Sequence, residues 1–356
     1  MTLRLTIDRS RLNEPDARRV LKEAAQLLRT GRLVALPTET VYGLGADALN
    51  PAAVAKIFVA KRRPSWDPLI VHVASEEMLR KLVTAVPAAA QRLIDAFWPG
   101  PLTLLLPRSE QVADGVTAGR MLVGIRMPAD PVALALIREA AIPVAAPSAN
   151  TFGHTSPTTA DHVLEDLEGR IDAVLDAGPT TCGVESTVLD PNQSPMVIYR
   201  PGAVTLEQLR AVAGCEVEFY RSATALFTTP PQALPSPGVG LRHYAPRARL
   251  ILVDAREASE LGELRRAIVG ECGRQTADKV GVLAPLELER ELAAELPNVV
   301  IQPWGSWSDP DGLASSLFAG LRALDAAGCA VIVCPRPAAE GIGAAIRDRL
   351  EKAATE

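Results

Sequence analysis

The chain has 356 residues, more than one ordinary core of about 100–200 residues takes up, so two domains are expected. Hydrophobic residues make up 48% and charged residues 22%, a balance that buries a sizeable core and excludes disorder and coiled coil. The net charge of −5, from 37 basic and 42 acidic residues, excludes a general electrostatic pull toward nucleic acid or anionic membrane, so any anion site must be local.

The N-terminus, Met1 to Arg11, is charged and lacks an apolar signal core, and no run of about 18 apolar residues occurs anywhere. A cytosolic, unanchored protein is expected. The cysteines Cys182, Cys215, Cys272, Cys329 and Cys334 are scattered and lack CxxC or Cys/His spacing, so reduced thiols are expected and a structural zinc site is not.

In chain order, an amphipathic helix runs from Asp16 to Arg29 and is stopped by Gly31. An apolar strand, Leu33 to Leu36, follows. Asn50-Pro51 supplies an N-cap and a first-turn proline for a helix to about Ala60. Further strands read at Leu69–Val73, Leu102–Leu106, Val123–Arg126, Pro143–Ala146, Ala173–Asp176, Glu185–Asp190 and Met196–Tyr199, with helices at Ala88–Phe97, Pro131–Ala140 and Thr158–Leu167. This alternation predicts a mixed, twisted α/β sheet with flanking helices over residues 1–215, with antiparallel pairing among the strands at 172–200. Residues 216–249 break the pattern and read as a linker, with the proline-rich TPPQALPSPG at 229–238. Beyond it, over 250–356, strands at Leu250–Val253, Lys279–Leu283 and Ala330–Cys334 alternate with helices at Ser259–Val269, Leu313–Ala327 and Ile342–Ala353. A smaller parallel, Rossmann-like α/β domain is expected there.

Several segments carry chemistry. PTETVYGLG (37–45) directly follows a strand, where open α/β sheets place ligand-binding loops, and it gathers hydroxyls, a carboxylate and two glycines. A polar turn that needs its glycines for backbone geometry is the other reading. The Walker pattern GxxxxGK[ST] is absent. Lys61-Arg62-Arg63 lies on a loop between a helix and a strand, and a lysine point charge beside an arginine fork suits a triphosphate, or a triphosphate plus a carboxylate. The same cations would equally favour the dipole of the helix they end. In APSANTFGHTSP (146–157), Ser148 and Asn150 lie two apart in an extended run, so both can point one way and donate to phosphate oxygens. Ser156 or Thr158 can cap the next helix, and His154 reads as a surface loop residue. GVESTVLD (183–190) puts Ser186 and Thr187 at the start of a strand, and YRPG (199–202) ends another with Arg200. Arg242, His243 and Tyr244 stand in a linker that otherwise has no need of them, and such a linker can fold over a site or dock on the first domain.

Together with FWPGPLTLLL (97–106), GIRMPADP (124–131), DPLIVHV (67–73), RHYAP (242–246) and GIGAAIRDRLEKAA (341–354), these strings resemble the YrdC-like threonylcarbamoyl-AMP synthase family in its longer, two-domain form. The resemblance implies a nucleotidyltransferase that joins L-threonine, bicarbonate and ATP, with Mg²⁺, into threonylcarbamoyl-AMP and pyrophosphate. A separate tRNA-modifying transferase would consume the product to make threonylcarbamoyladenosine. It further implies that Lys61 and Arg63 fill the KxR positions and hold the threonine carboxylate and ATP phosphates, that Thr38, Thr40 and Thr187 help bind threonine, and that Ser148, Asn150, Ser156, Ser186, Arg200, His243 and Tyr244 help bind ATP. Departures from the common pattern fall at Asp67, where asparagine is frequent, at Thr151-Phe152, and at Gly240-Leu241.

Physical logic points the same way. A carbamate formed from an amine and carbon dioxide is labile in water, so the enzyme must exclude solvent and trap it by attack at the α-phosphorus. Fixed cations and Mg²⁺ stabilise the charge that builds on the oxygens, and Mg²⁺ held by phosphates needs no protein motif. The residues leave two alternatives open: a carbamoyl-adenylate former with another acceptor, and an RNA-binding protein using the cationic loop as a phosphate clamp. The negative charge, 4% aromatics and lack of an RNP-like motif weigh against the second and against strong direct nucleic-acid binding.

Overall fold

The computed structural model describes residues 1–220, 234, 236, 243–254 and 261–355. Most of the expected linker, including Arg242 and Gly240-Leu241, lies outside the described residues. The chain divides into two compact units: Met1–Phe152, Pro157–Thr181 and Glu185–Val239 form the first, while Gly153–Ser156, Cys182–Val184 and Gly240–Glu356 form the second.

Polar caps followed by proline start several helices of the first unit. In order its elements are β1 (Leu3–Thr6), α1 (Pro15–Arg29), β2 (Val34–Leu36), β3 (Gly43–Asp47), α2 (Pro51–Lys61), β4 (Ile70–His72), α3 (Glu76–Leu82), α4 (Ala88–Phe97), β5 (Leu102–Pro107), α5 (Asp114–Thr117), β6 (Leu122–Arg126), α6 (Pro131–Ala140), β7 (Val144–Ala145), α7 (Ala160–Leu167), β8 (Ala173–Asp176), β9 (Thr187–Asp190), β10 (Met196–Arg200), α8 (Leu206–Ala213) and β11 (Val217–Phe219). The Asn50 side chain accepts from the amides of Ala52 and Ala53, and Asp130 does the same for Val132 and Ala133, satisfying first-turn donors that would otherwise be orphaned. Gly31, at φ +70°, follows α1 as the left-handed residue its stop signal predicts.

The strands form one mixed sheet in the order β1-β8-β2-β3-β7-β4-β6-β5-β9-β10-β11. Antiparallel pairing near the end of this unit is found between β9 and β10, where Ile198 faces Leu189. By contrast, β8 pairs in parallel with β1 and β2, far along the sheet. Sequence proximity suggested one cluster, but the intervening loop 177–186 carries the chain across the sheet. Alternate residues of β2 serve opposite faces: Val34 and Leu36 pack with α1 and α6, while Ala35 packs with the core beneath α2, α4, α7 and α8. Gly45 is required by packing, since a Cβ there would lie 2.8 Å from the Leu36 side chain and 2.9 Å from the Val34 carbonyl. The cap of α7 is Thr159, not Thr158 or Ser156, because the Thr158 hydroxyl lies 3.3 Å from His162 Nδ1 while Thr159 accepts from the His162 amide.

The second unit holds β12 (Arg249–Val253), α9 (Leu261–Arg274), β13 (Val280–Pro285), α10 (Glu289–Glu295), β14 (Val300–Gly305), α11 (Pro310–Ala326), β15 (Val331–Pro335) and α12 (Gly343–Ala354). Its four strands run parallel in the order β12-β15-β13-β14, as a small βα domain requires, and Val282 and Val333 sit in its buried core. Gly183, at φ +72°, belongs here, and a Cβ on it would meet the backbone of Ala314 and Ser315 on α11 at 2.4 Å. No helix among the described residues is long and apolar enough to cross a membrane, and all five cysteines are free thiols.

Candidate active site

Backbone hydrogen bonds bring the separate motifs together. The Leu44 amide donates to the Pro147 carbonyl at 2.7 Å and the Ala149 amide to the Tyr42 carbonyl at 2.8 Å, zipping PTETVYGLG to APSAN. The Phe152 amide donates to the Lys61 carbonyl at 2.8 Å, tying the end of α2 to the same loop. Three motifs far apart in sequence therefore share one place because β3 and β7 are sheet neighbours.

Lys61 is 1% exposed, and its ammonium donates to the carbonyls of Ser148 at 2.5 Å and Asn150 at 2.6 Å. A third contact, to Asn150 Oδ1, is long at 3.4 Å. Burial pushes the Lys61 pKa well down, the charge of Arg63 adds to this, and Asp166, Asp67 and Glu185 oppose it. Arg62 takes a left-handed conformation, at φ 55°, and turns outward, so two of the three consecutive cations are buried.

Arg63 is anchored within its own loop. Its Nε donates to the Asp67 carbonyl at 3.1 Å, and its Nη2 donates to the Pro68 carbonyl at 2.7 Å and lies 2.9 Å from Asp67 Oδ1. The guanidinium carbon lies 5.8 Å from the centroid of the Phe152 ring. Asp67 and Phe152 thus meet on one residue, Arg63. Burial raises the pKa of the Asp67 carboxyl, and the charges of Arg63, Lys61 and Arg200 pull it back down.

The hydroxyls of the first motif form a directed chain. Arg126 Nη1 donates to Thr40 Oγ1 at 2.9 Å, and Thr38 Oγ1 donates to the Val41 carbonyl at 2.7 Å. The 2.8 Å bond between the two threonines is then fixed in direction, with Thr40 donating to Thr38. Arg126 Nη2 also pairs with Glu39 Oε1 at 2.6 Å, both side chains being nearly enclosed. His72 is the register partner of Arg126 on β4, and its pKa is pushed down to about 3 by burial and then by the charge of Arg126. His72 is therefore a neutral imidazole at ordinary pH. Glu39, His72 and Arg126 were not singled out from the sequence, although a lone arginine ending the apolar strand of GIRMP was a visible signal.

Ser186, just before β9, is joined to Arg200 at the end of β10: Arg200 Nε donates to the Ser186 carbonyl and Nη2 to its hydroxyl, each at 3.1 Å, and Thr103 Oγ1 lies 2.8 Å from the same hydroxyl. Thr187 sits at the start of β9, where its hydroxyl donates to the Val204 carbonyl at 2.5 Å. The loop at 99–101 links the clusters, since Arg126 Nε donates to the Gly100 carbonyl and the Thr187 amide to the Pro101 carbonyl. Ser156, His243 and Tyr244 belong to the second unit. There the Arg322 Nη2 donates to the Thr155 carbonyl at 2.6 Å, and His154 bridges to Ala245. Among the described residues no group of three or more His, Cys, Asp or Glu is placed to hold a metal ion.

The arrangement offers buried cations and aligned hydroxyls, which suits binding and polarising anions. Comparison with known proteins shows the family. A family profile described as "Telomere recombination", covering the Sua5, YciO and YrdC proteins, matches residues 26–202, and one described as "Threonylcarbamoyl-AMP synthase, C-terminal domain" matches residues 204–355. The chain is 40% identical to the threonylcarbamoyl-AMP synthase of Pyrococcus abyssi, over 94% of this chain and 93% of that protein. It is 42% identical to the Bacillus subtilis synthase, over 94% and 92% respectively. The crystal structure of P. abyssi Sua5 complexed with L-threonine superposes with a TM-score of 0.83 at 37% identity, covering 99% of this chain and 97% of that one. A P. abyssi Sua5 variant with an adjacent histidine and tyrosine changed to alanine gives a TM-score of 0.86 at 38% identity, with coverage of 99% and 96%. The chain therefore belongs to the threonylcarbamoyl-AMP synthase family, in its two-domain form.

Proposed function

We propose that this protein converts L-threonine, bicarbonate and ATP into threonylcarbamoyl-AMP, pyrophosphate and water. The observation that carries the reading is the buried Lys61 ammonium, seated on the Ser148 and Asn150 carbonyls with only a long contact from its third N–H. That third donor is the one that turns to a phosphate oxygen. Ser148, Asn150, Ser186 and Arg200 complete the ATP side, and Thr38, Thr40, Arg63 and Thr187 take the threonine side. In this reading Thr187 offers its hydroxyl oxygen as an acceptor, because its O–H donates to the Val204 carbonyl and its amide to the Pro101 carbonyl.

The threonine amine adds to carbon dioxide derived from bicarbonate, with loss of water. A carbamate oxygen then attacks the α-phosphorus, and the bond to the β-phosphate oxygen breaks. Negative charge grows on the bridging and pyrophosphate oxygens, where Lys61 and Arg63 are already fixed and need no reorganisation. ATP enters as its Mg²⁺ complex, the ion being held by phosphates and water as that small cation prefers. The product leaves to a separate transferase that modifies tRNA, in the cytoplasm, where the free thiols stay reduced. The test is pyrophosphate release on incubation with ATP, Mg²⁺, bicarbonate and threonine. Omitting any one component is expected to abolish it, and release independent of threonine would overturn the assignment.

A further inference from the structure

The buried pair of Glu39 and Arg126 has no task in the reaction as proposed. Their side chains are 10% and 4% exposed, and Glu39 Oε1 lies 2.6 Å from Arg126 Nη2. A buried ion pair adds little net stability over well-packed apolar residues of similar volume, so its presence asks for another role. Arg126 is held at every nitrogen: besides the contact with Glu39, Nε donates to the Gly100 carbonyl at 3.2 Å and Nη1 to Thr40 Oγ1 at 2.9 Å. Glu39 is the carboxylate that balances this charge. Asp130 lies near enough to feel the charge of Glu39, but it is spent on the first turn of α6 and on Arg9 at 3.3 Å, and His72 on β4 is neutral.

The pair sets the direction of the hydroxyls beside it. A guanidinium only donates, so Thr40 Oγ1 must accept from Arg126, and the O–H of Thr40 is left to donate to Thr38, whose own O–H is committed to the Val41 carbonyl. Thr38 Oγ1 also accepts from the amides of Thr40 at 3.2 Å and Val41 at 3.3 Å, so it has nothing left to offer. The Thr40 oxygen keeps one lone pair. That lone pair takes an N–H or O–H donor and repels a carboxylate.

We infer that Glu39 is a positioning residue of the threonine subsite: it holds the Arg126 guanidinium where Nη1 meets Thr40, and so keeps the Thr40 oxygen as an acceptor for a donor group of the amino acid, its ammonium or its side-chain hydroxyl. This rests on the proposed reading in which Thr38 and Thr40 take the threonine side. All the residues involved lie in the first unit. It gives the carboxylate of PTETVYGLG a task, and it turns the amino acid so that its own carboxylate points away from these hydroxyls.

The test is steady-state pyrophosphate release by the full chain with MgATP, threonine and bicarbonate. Glu39→Ala is expected to raise KM for threonine by about tenfold or more, as loss of a charge-assisted hydrogen bond does, while KM for ATP stays within about twofold. Glu39→Gln keeps an acceptor for Arg126 without the charge, and should raise it by about threefold to tenfold. In a Thr40→Val background, Glu39→Gln should add no more than about twofold, because the carboxylate acts through that hydroxyl. L-2-Aminobutyrate, which is threonine without its hydroxyl, identifies the donor: an equal loss for both substrates in Thr40→Val means the ammonium, and a loss confined to threonine means the hydroxyl. The inference is overturned by a rise below about threefold in Glu39→Gln, by equal rises in KM for threonine and ATP, or by the same rise recurring in the Thr40→Val background. Should Glu39→Ala fail to fold, Glu39→Gln decides the matter. A wild-type protein that releases no pyrophosphate sinks the proposed function and this inference together, whereas an active wild type with unaffected variants sinks the inference alone.

Discussion

Replacing Lys61 by alanine separates two tasks that one ammonium performs. The structural task is to satisfy the Ser148 and Asn150 carbonyls at 2.5 and 2.6 Å inside a site with almost no exposure. Charge-assisted bonds contribute about 1.5–3 kcal/mol each, so two amount to about 3–6 kcal/mol, and release of the buried charge returns part of this. A net loss of about 3–4 kcal/mol is expected, which a fold of about 5–15 kcal/mol survives. The chemical task is stabilising charge on the phosphates, and removing one such preorganised group lowers the rate by about 10²–10³-fold. Denaturant unfolding reads the first and pyrophosphate release reads the second. Even a fold of about 5 kcal/mol keeps about 1 kcal/mol, which leaves more than about four-fifths of the protein folded, so unfolding cannot account for a hundredfold fall. If Lys61→Ala loses the stability but keeps activity within about tenfold of wild type, Lys61 is a strut and the phosphate role is refuted.

Arg63→Ala should lower activity by about 10²-fold and also strand the buried Asp67 carboxylate, at about 3–5 kcal/mol of stability. Adding Asp67→Asn should restore most of the stability but not the activity, and an equal recovery of both would mean that Arg63 only serves the fold. His72 provides a pH signature. Its folded pKa of about 3 lies below the ordinary 6.5, so the unfolded chain takes up a proton that the native protein refuses. Its contribution is complete above pH 6.5 and is lost as the pH falls toward 3, by about 1.4 kcal/mol per pH unit, or about 2 kcal/mol by pH 5. Unfolding curves of wild type and His72→Asn should differ in slope by this amount over that window, and parallel curves would contradict the buried neutral imidazole. Serine differs from threonine by one methyl group, worth about 1–3 kcal/mol, so serine should be used with kcat/KM lower by about 10–200-fold. Complete rejection of serine would require a contact other than that methyl.

The parts of the fold that declare themselves in sequence are those with local signals. Asn50-Pro51 and Asp130-Pro131 start their helices as the side-chain caps dictate, and the apolar runs ending at Leu36, Arg126 and Asp190 are strands. Other elements are quieter. β3 begins inside PTETVYGLG, where the glycines read as a turn but are needed for close packing against β2. β1 is four residues long and mostly exposed, and β14 contains Pro303, which belongs only on an edge strand. α8 did carry a readable signal, the capping box of Thr205 and Gln208. For the site, residue types and motif order pointed to Lys61, Ser148 and Asn150, and sheet order brings them together. The pairing of Glu39 with Arg126 was not legible, because it joins residues 87 positions apart through strands whose order no local pattern encodes. Likewise, a carboxylate at position 67 looked like a simple departure until the fold turned it onto Arg63.

The most direct measurement is a crystal structure of the protein with a non-hydrolysable ATP analogue, Mg²⁺ and threonine. Phosphate oxygens within hydrogen-bonding distance of the Lys61 ammonium and the Ser148 hydroxyl are predicted, with threonine beside the Thr38–Thr40 hydroxyls. A nucleotide bound elsewhere, with Lys61 touching only its two carbonyls, would contradict the account.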